Sequence, residues 1–332
     1  MYYILLNNKK IMTLAPIILF CYNRPWHVEQ TLIALSKNEL ADQSVLYIYC
    51  DGPKENATEE QIEKIKQTRK VISKEKWCKE VHIIETKQNK GLANSVIEGV
   101  SEIINKYGKV IVVEDDIVTS KYFLLYMNKS LELYENNNGV FSIGAFNLPS
   151  NIVKIPRDYK WDNYASLRVC SWGWATWKDR WNKVEWDIDI IIKSLSENYL
   201  IEAFNRGGDD LYSMLNDHLK GRVNSWAIRF GYAHFYNHSV CMCPINSYVD
   251  NSGLDGTGEH CGNLSDKYQN DLTLSKKEPR LLEIVYEDKR IINSFYNAFT
   301  YAKRPLWQKA INFIARKFGI KPPFVIKKKV YA

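Results

Sequence analysis

The residues of this chain best suited to chemistry close an apolar run, Lys109-Val110-Ile111-Val112-Val113-Glu114-Asp115-Asp116. Four consecutive β-branched residues read as a strand buried on both faces, as in a parallel sheet covered by helices. Three adjacent carboxylates at its end repel one another. A hard divalent cation bound to the phosphates of a nucleotide is one arrangement that tolerates them. The plain alternative is a solvated acidic loop after a core strand. On residue types alone the two readings stand level, so the neighbouring elements must decide.

Those elements alternate apolar runs with helical patterns, which predicts βαβ units. Residues 16–22, 45–50, 81–84 and 110–113 read as strands. Residues 28–40 and 58–76 read as helices, and Leu92, Val96, Val100 and Ile103 form the stripe of a third. The strands run into Asn23-Arg24, Asp51-Gly52, Asn89-Lys90-Gly91 and Glu114-Asp115-Asp116. A parallel sheet puts all four ends on one edge, where open α/β sheets bind ligands. Gly91, just before a helix, either offers free backbone N–H groups to a phosphate or simply makes a turn.

Further along, residues 122–134 predict a helix and 140–146 a strand. A Trp-rich stretch follows, Ser171-Trp172-Gly173-Trp174-Ala175-Thr176-Trp177. Trp172, Trp174 and Trp226 are candidates to stack on a sugar, whereas Trp177, Trp181 and Trp186 read as core. Residues 209–220 predict a helix with Leu211, Met214, Leu215 and Leu219 inward and Asp210 and Asp217 on one flank. Residues 249–261 are a Gly- and Asp-rich loop. After Pro305, Trp307, Ile311, Ile314 and Phe318 make one face of a basic amphipathic helix. Asp187-x-Asp189 imitates a metal motif, but no buried strand leads into it, and a solvated helix face accounts for it. Cys241-Met242-Cys243 lacks a second Cys or His pair at zinc-like spacing, so buried thiols are expected.

Composition narrows the classes. Of 332 residues, 45% are hydrophobic and 25% charged, which excludes a disordered chain. The formal charge of +7 is a local property: residues 300–332 hold nine Lys or Arg and no acid, leaving 36 basic against 38 acidic residues elsewhere. That argues against nucleic acid as a partner and for contact of residues 303–332 with an anionic membrane surface, the alternative being a helix docked on the body. Seven scattered cysteines fit a reducing cytoplasm. Lys9-Lys10 and the apolar run after it imitate a signal peptide, but no small-residue cleavage site follows and a core strand explains the run. No stretch of 18 apolar residues predicts a membrane span.

Together these segments resemble a GT-A glycosyltransferase, built on a Rossmann-like, mostly parallel sheet flanked by helices, and within that superfamily the N-acetylglucosaminyltransferase I type. The resemblance rests on Asn23-Arg24-Pro25, Asp51-Gly52, Asn89-Lys90-Gly91-Leu92-Ala93-Asn94-Ser95 and Val113-Glu114-Asp115-Asp116, a variant of the Asp-x-Asp motif with Glu first. Ser171–Trp177 and the loop ending at Cys261 are similar to elements of bacterial relatives. The likeness covers about residues 14–262. It implies a nucleotide-sugar-binding half at 14–120 and an acceptor-binding half at 121–265, with an extension at 1–13 and a basic helical tail at 266–332.

The resemblance further implies that Asp116 binds Mn²⁺ or Mg²⁺ bridging the donor diphosphate. Glu114 and Asp115 would hold the ribose and uridine, Asp51 the base, and Arg24 the base or a phosphate. Asn23, Lys90, Asn94 and Trp174 would complete the donor site. His260 would be a second metal or diphosphate contact, or an ordinary loop histidine. Transfer with inversion needs a base on the acceptor hydroxyl, for which Asp217 is preferred over Asp210 and Asp209. The implied substrates are a UDP-sugar and a saccharide or lipid-linked acceptor, at the inner face of a bacterial membrane. Two rivals remain. A nucleotidyltransferase on a similar sheet would want a Gly-rich phosphate loop after the first strand, which Tyr22-Asn23-Arg24-Pro25 lacks. A carbohydrate-binding protein would leave the acid triplet unexplained.

Overall fold

The computed structural model describes residues 12–254, 268–299 and 311–315. The first half is a run of β1 (Ile17–Cys21), α1 (Pro25–Ser36), β2 (Val45–Cys50), α2 (Glu59–Ile72), β3 (Glu80–Glu85), α3 (Leu92–Tyr107) and β4 (Lys109–Glu114). Then come β5 (Ile117–Thr119), α4 (Phe123–Leu133), β6 (Val140–Gly144), β7 (Asn163–Ser166) and β8 (Trp174–Trp177). Helices α5 (Lys178–Trp181), α6 (Ile188–Ser194), α7 (Asn198–Phe204), α8 (Leu211–Leu219) and α9 (Trp226–Tyr236) lead to β9 (Val240–Pro244), β10 (Val249–Asn251) and α10 (Lys289–Phe299).

Eight strands form one sheet in the order β3-β2-β1-β4-β8-β6-β9-β7. The four strands read from the sequence pair in parallel, with Cys21 opposite Cys50 and Phe20 opposite Glu114, so their carboxyl ends share one edge. β8 is inserted antiparallel between β4 and β6, and β7 runs antiparallel on β9. The chain is thus an α/β protein with a mostly parallel sheet. A separate two-stranded ribbon, β5 with β10, is attached just beyond the acid triplet.

Helices cover both faces because alternate strand residues supply apolar surface to each. Ile17, Leu19, Leu46, Ile48, Ile111 and Val113 pack with Val28, Leu32 and Leu35 of α1. Ile18, Phe20, Val110 and Val112 pack with Val96, Val100 and Ile103 of α3. Local signals set the ends. Pro25 occupies the first turn of α1, where its missing N–H costs nothing, so the helix starts three residues before the expected position. Thr58 and Gln61 form a capping box at α2. Gly108, at φ +81°, closes α3.

Other expectations shift. Of the stripe on α8, Leu211 and Leu215 are buried, while Leu219 is 38% exposed because the helix ends there. Asp187 caps α6 by accepting from the N–H groups of Asp189 and Ile190, which explains that acid pair structurally. Cys241 and Cys243 are buried thiols with sulfurs 3.7 Å apart. Trp177 and Trp181 are core, and so is Trp174, against the sugar-stacking expectation. It lies on an inner strand between Trp181, Trp226 and Phe230, with no exposed surface.

One buried polar pair ties α9 to the sheet. His234 Nδ1 donates to the Phe230 carbonyl at 2.8 Å, which leaves Nε2 to accept from the Ser142 hydroxyl at 2.7 Å. Burial pushes the imidazole pKa down to about 4. Below about 6.5 the unfolded chain protonates this group and the folded one does not, so stability is lost as the pH falls from about 6.5 towards 4, by up to about 3 kcal/mol. In His234→Gln that loss is absent. The gap in urea-unfolding free energy between wild type and variant narrows by about 2 kcal/mol between pH 7 and pH 5. A constant gap would show that His234 titrates normally.

Candidate active site

The carboxyl edge of β1, β2 and β4 opens into a cleft of about 1150 Å³, lined by Asn23, Arg24, Asp51, Lys90 and all three acids of the triplet. β4 ends at Glu114, and Asp115-Asp116 makes the turn into β5. The backbone of that turn is fixed from two sides. The Thr31 hydroxyl of α1 donates to the Asp115 carbonyl at 2.9 Å, and the N–H of Ser252 to the Asp116 carbonyl at 2.9 Å. Gly253 then passes so close that a Cβ there would stand 2.2 Å from Asp116 Oδ2 and 2.5 Å from Arg24 Nη2. Only glycine fits.

Charge decides the character of this corner. Burial, followed by the charges of its two neighbours, raises the Glu114 pKa to about 8. Burial and the charge of Asp116 raise Asp115 to about 7, although Arg24 and the Tyr22 backbone work against this. Arg24 Nη1 lies 2.8 Å from Asp116 Oδ2 and 3.3 Å from Asp115 Oδ1. Asp116 Oδ1 is buried without a hydrogen-bond partner. An unsatisfied buried carboxylate oxygen is costly in isolation and is a ready ligand for a hard cation. Among the described residues no three His, Cys, Asp or Glu side chains converge on one point. Asp116 is the residue that would hold a divalent ion here, and its open oxygen fits that role.

Asp51 lines the cleft and also holds its own chain. Its Oδ1 accepts from the N–H groups of Gly52 and Lys90 and from the Thr86 hydroxyl, at 2.9 to 3.0 Å; Oδ2 accepts from the N–H groups of Lys90 and Gly91, both at 3.1 Å. It braces the turn after β3 against β2, helped by Gly52, where a Cβ would meet the backbone of Lys87 and Gln88 at 2.7 Å. Gly91, at φ +78°, aims the first turn of α3 at the cleft, and Leu92, Ala93 and Ser95 line it. Lys90 lines it too but pairs with Glu98 at 2.6 Å. Asn94 faces solvent away from the cleft and donates to the Lys90 carbonyl at 3.0 Å.

On the opposite side, the three acids expected as bases each have a partner within the chain. Asp210 is 2% exposed and clamped by Arg168 through two bonds of 2.8 and 3.0 Å. Asp209 accepts from the Tyr296 hydroxyl at 3.0 Å. Asp217 pairs with Arg222. None of the three lines the cleft. The wall is made instead by Arg168, Trp172, Met214, His218, Asn224 and Trp226. His218 lies on α8 one turn beyond Met214 and lines the cleft with it and Leu211; the sequence reading followed the acids of that helix and passed over it. Its Nδ1 accepts from the Ser225 N–H at 3.1 Å, and burial and the Arg229 charge lower its pKa. The neutral ring thus carries its proton on Nε2 and acts as a donor, not a base. His260 lies outside the described residues, as do the rest of 255–267 and, in the tail, 300–310 and 316–332.

No protein-family model matches the chain, and no curated protein does. Solved structures similar to it include residues 1–349 of S. aureus TarS in complex with UDP (12% identity, TM-score 0.35, covering 73% of this chain and 62% of that one). Others are UDP-glucose pyrophosphorylase complexed with UDP-glucose (12%, 0.37, 69% and 90%) and the galactosyltransferase LgtC with donor and acceptor sugar analogues (9%, 0.33, 66% and 70%). The chain spans 61% and 62% of the length of the two TarS structures.

The Arg24 pairing makes a direct prediction. Arg24→Ala strands two carboxylates that are each about 12% exposed, and unfolding free energy falls by about 2 kcal/mol, below the loss for a fully buried pair. Adding Asp116→Asn to Arg24→Ala restores part of the loss, because one uncompensated charge is gone. Denaturant titration of the single and double variants checks this, and purely additive losses would disprove the coupling.

Proposed function

We propose that the chain is a metal-assisted glycosyltransferase that uses a UDP-sugar. The observation that supports this best is Asp116 at the end of β4: one carboxylate oxygen is held by Arg24 and the other is buried without a partner, inside a cleft with room for both a donor and an acceptor. Bound there, a divalent cation would neutralise the diphosphate as it leaves. Arg24 stands beside the same position to share that charge, and the first turn of α3 turns backbone N–H groups towards the phosphates. Glu114 and Asp115 supply acceptors for ribose and base.

The sugar and its acceptor then belong to the other half of the cleft. Trp172 meets Phe146 edge to face, with ring centroids 4.4 Å apart, and Trp226 lies further along the wall. Trp172 and Trp226 suit the apolar face of a pyranose, and the protonated Nε2 of His218 suits a hydroxyl or phosphate oxygen. An acceptor hydroxyl attacks the anomeric carbon as the diphosphate departs, with inversion, and loses its proton to a group other than Asp209, Asp210 or Asp217. Residues 255–267 include four further candidates by type: Asp255, Glu259, His260 and Asp266. The lectin reading has no use for a buried, half-satisfied carboxylate. The β1–α1 turn, without glycine, does not favour nucleotidyl transfer.

Mn²⁺-dependent hydrolysis of UDP-sugars, followed by release of UDP across a panel of donors, tests the proposal. Asp116→Asn lowers the rate by at least about a hundredfold, and Asp217→Asn stays within about threefold of wild type because Asp217 is not among the lining residues and is already paired with Arg222. Failure of every nucleotide sugar to bind or react in the presence of Mn²⁺ would refute the reading. A hundredfold loss in Asp217→Asn would return the base to α8.

A further inference from the structure

The two ends of the eight-stranded sheet are finished differently. β7 is buried along its whole length, and the segment at 280–282 bonds to it: the Arg280 carbonyl accepts from the Asp162 N–H, and the Asn163 side chain accepts from the Leu282 N–H. β3, at the other end, has no strand beyond it among the described residues. The N–H groups of Glu80 and Thr86 donate to the carbonyls of Ser44 and Cys50, so the even-numbered residues turn their backbone towards β2, while Val81, Ile83 and Glu85 turn theirs outward. Ile83, in the middle of this edge, is 38% exposed. An open edge with an aliphatic centre is a template for another strand.

We propose that β3 pairs antiparallel with β3 of a second copy of this chain, joining the two sheets across a two-fold axis. The sequence of the edge is complementary to itself. Only the odd-numbered residues offer free backbone groups, so the axis falls on a residue and not between two. With the axis at His82, Val81 opposes Ile83 of the second copy on both sides of the axis, and Lys79, one residue before the strand, falls beside Glu85. With the axis at Ile83, Lys79 falls beside Lys87 and Val81 opposes Glu85; at Ile84, Ile83 opposes Glu85; at Val81, Lys79 opposes Ile83. The first register alone sets apolar against apolar and charge against opposite charge. Glu85, 3.4 Å from its own Arg69, keeps its side chain 42% exposed for a second cation. On the other face the two His82 side chains meet at the axis, each held by its own Glu80 at 2.7 Å and stacked on Tyr47. A foreign peptide on the same edge would owe nothing to this self-complementarity. Lys79, Ile83 and Glu85 do not line the cleft, and antiparallel pairing points the two carboxyl edges in opposite directions, so the dimer does not depend on which reaction the cleft performs.

Sedimentation velocity of the full chain over concentrations from about 1 to about 100 μM tests the proposal. Wild type passes from monomer to dimer with a Kd of about 10 μM, as befits a contact made chiefly by one strand pair. Ile83→Lys weakens the dimer at least about tenfold by placing a charge at the centre of the edge. Lys79→Glu and Glu85→Lys each weaken it about fivefold, because like charges then stand opposite one another. An equimolar mixture of these two variants dimerises as tightly as wild type, a recovery that damage to the fold would not give. Wild type that stays monomeric at about 100 μM overturns the proposal. So does a dimer that Ile83→Lys leaves intact, or a mixture that associates no better than either charge variant alone.

Discussion

Holding three carboxylates at the buried end of a core strand is the constraint on which this region depends. Desolvation and the charges of neighbouring acids both raise the pKa values of Glu114 and Asp115. The fold answers with Arg24, delivered from the adjacent strand and fixed as the residue before a helix by Pro25. It also ties down the backbone of the turn, through Thr31 and Ser252, so that the acids cannot swing out to water. Gly253 completes the enclosure by approaching so closely that a side chain there would displace the Asp116 carboxylate and the Arg24 guanidinium.

The parallel half of the molecule was legible in the residues because its signals are local and repeat. β-Branched runs gave β1, β2 and β4, the stripe on α3 gave the layer above them, and chain direction put four polar strand ends on one edge. The antiparallel insertion of β8 was not legible. Its sequence, Trp174-Ala175-Thr176-Trp177, is short and lies far along the chain from both β4 and β6, the strands it joins. Reading Trp174 as a ligand-stacking ring followed from missing that strand: an indole on an inner strand meets Trp181 and Phe230 from the covering helices, and no cavity remains for a sugar.

The acids of α8 show a different limit. Helical spacing places Asp210 and Asp217 on one flank but does not say what that flank faces. Arg168, from the segment after β7, reaches Asp210 first, and Tyr296 of α10 reaches Asp209. These partners are distant in sequence and carry no local signature. Both pairs join α8 to neighbouring segments, which is work for a structural acid rather than for a base that must meet an incoming hydroxyl. The residues that α8 does send into the cleft are Leu211, Met214 and His218, and the Ser225 N–H sets the tautomer of the last.

Hydrogen-bond accounting separates acids that strand-end position alone makes equivalent. Asp51 and Asp116 both stand at the carboxyl edge of the same sheet and both line the same cleft. Asp51 spends both oxygens on its own chain, so replacing it would loosen the turn that leads into α3 before it altered any ligand contact. Asp116 spends one oxygen on Arg24 and keeps the other buried and open. A folded protein rarely leaves such an atom unsatisfied, and here the neighbouring groups rigidly maintain it. The open oxygen, more than the presence of three acids in a row, is what distinguishes this corner from a merely acidic turn.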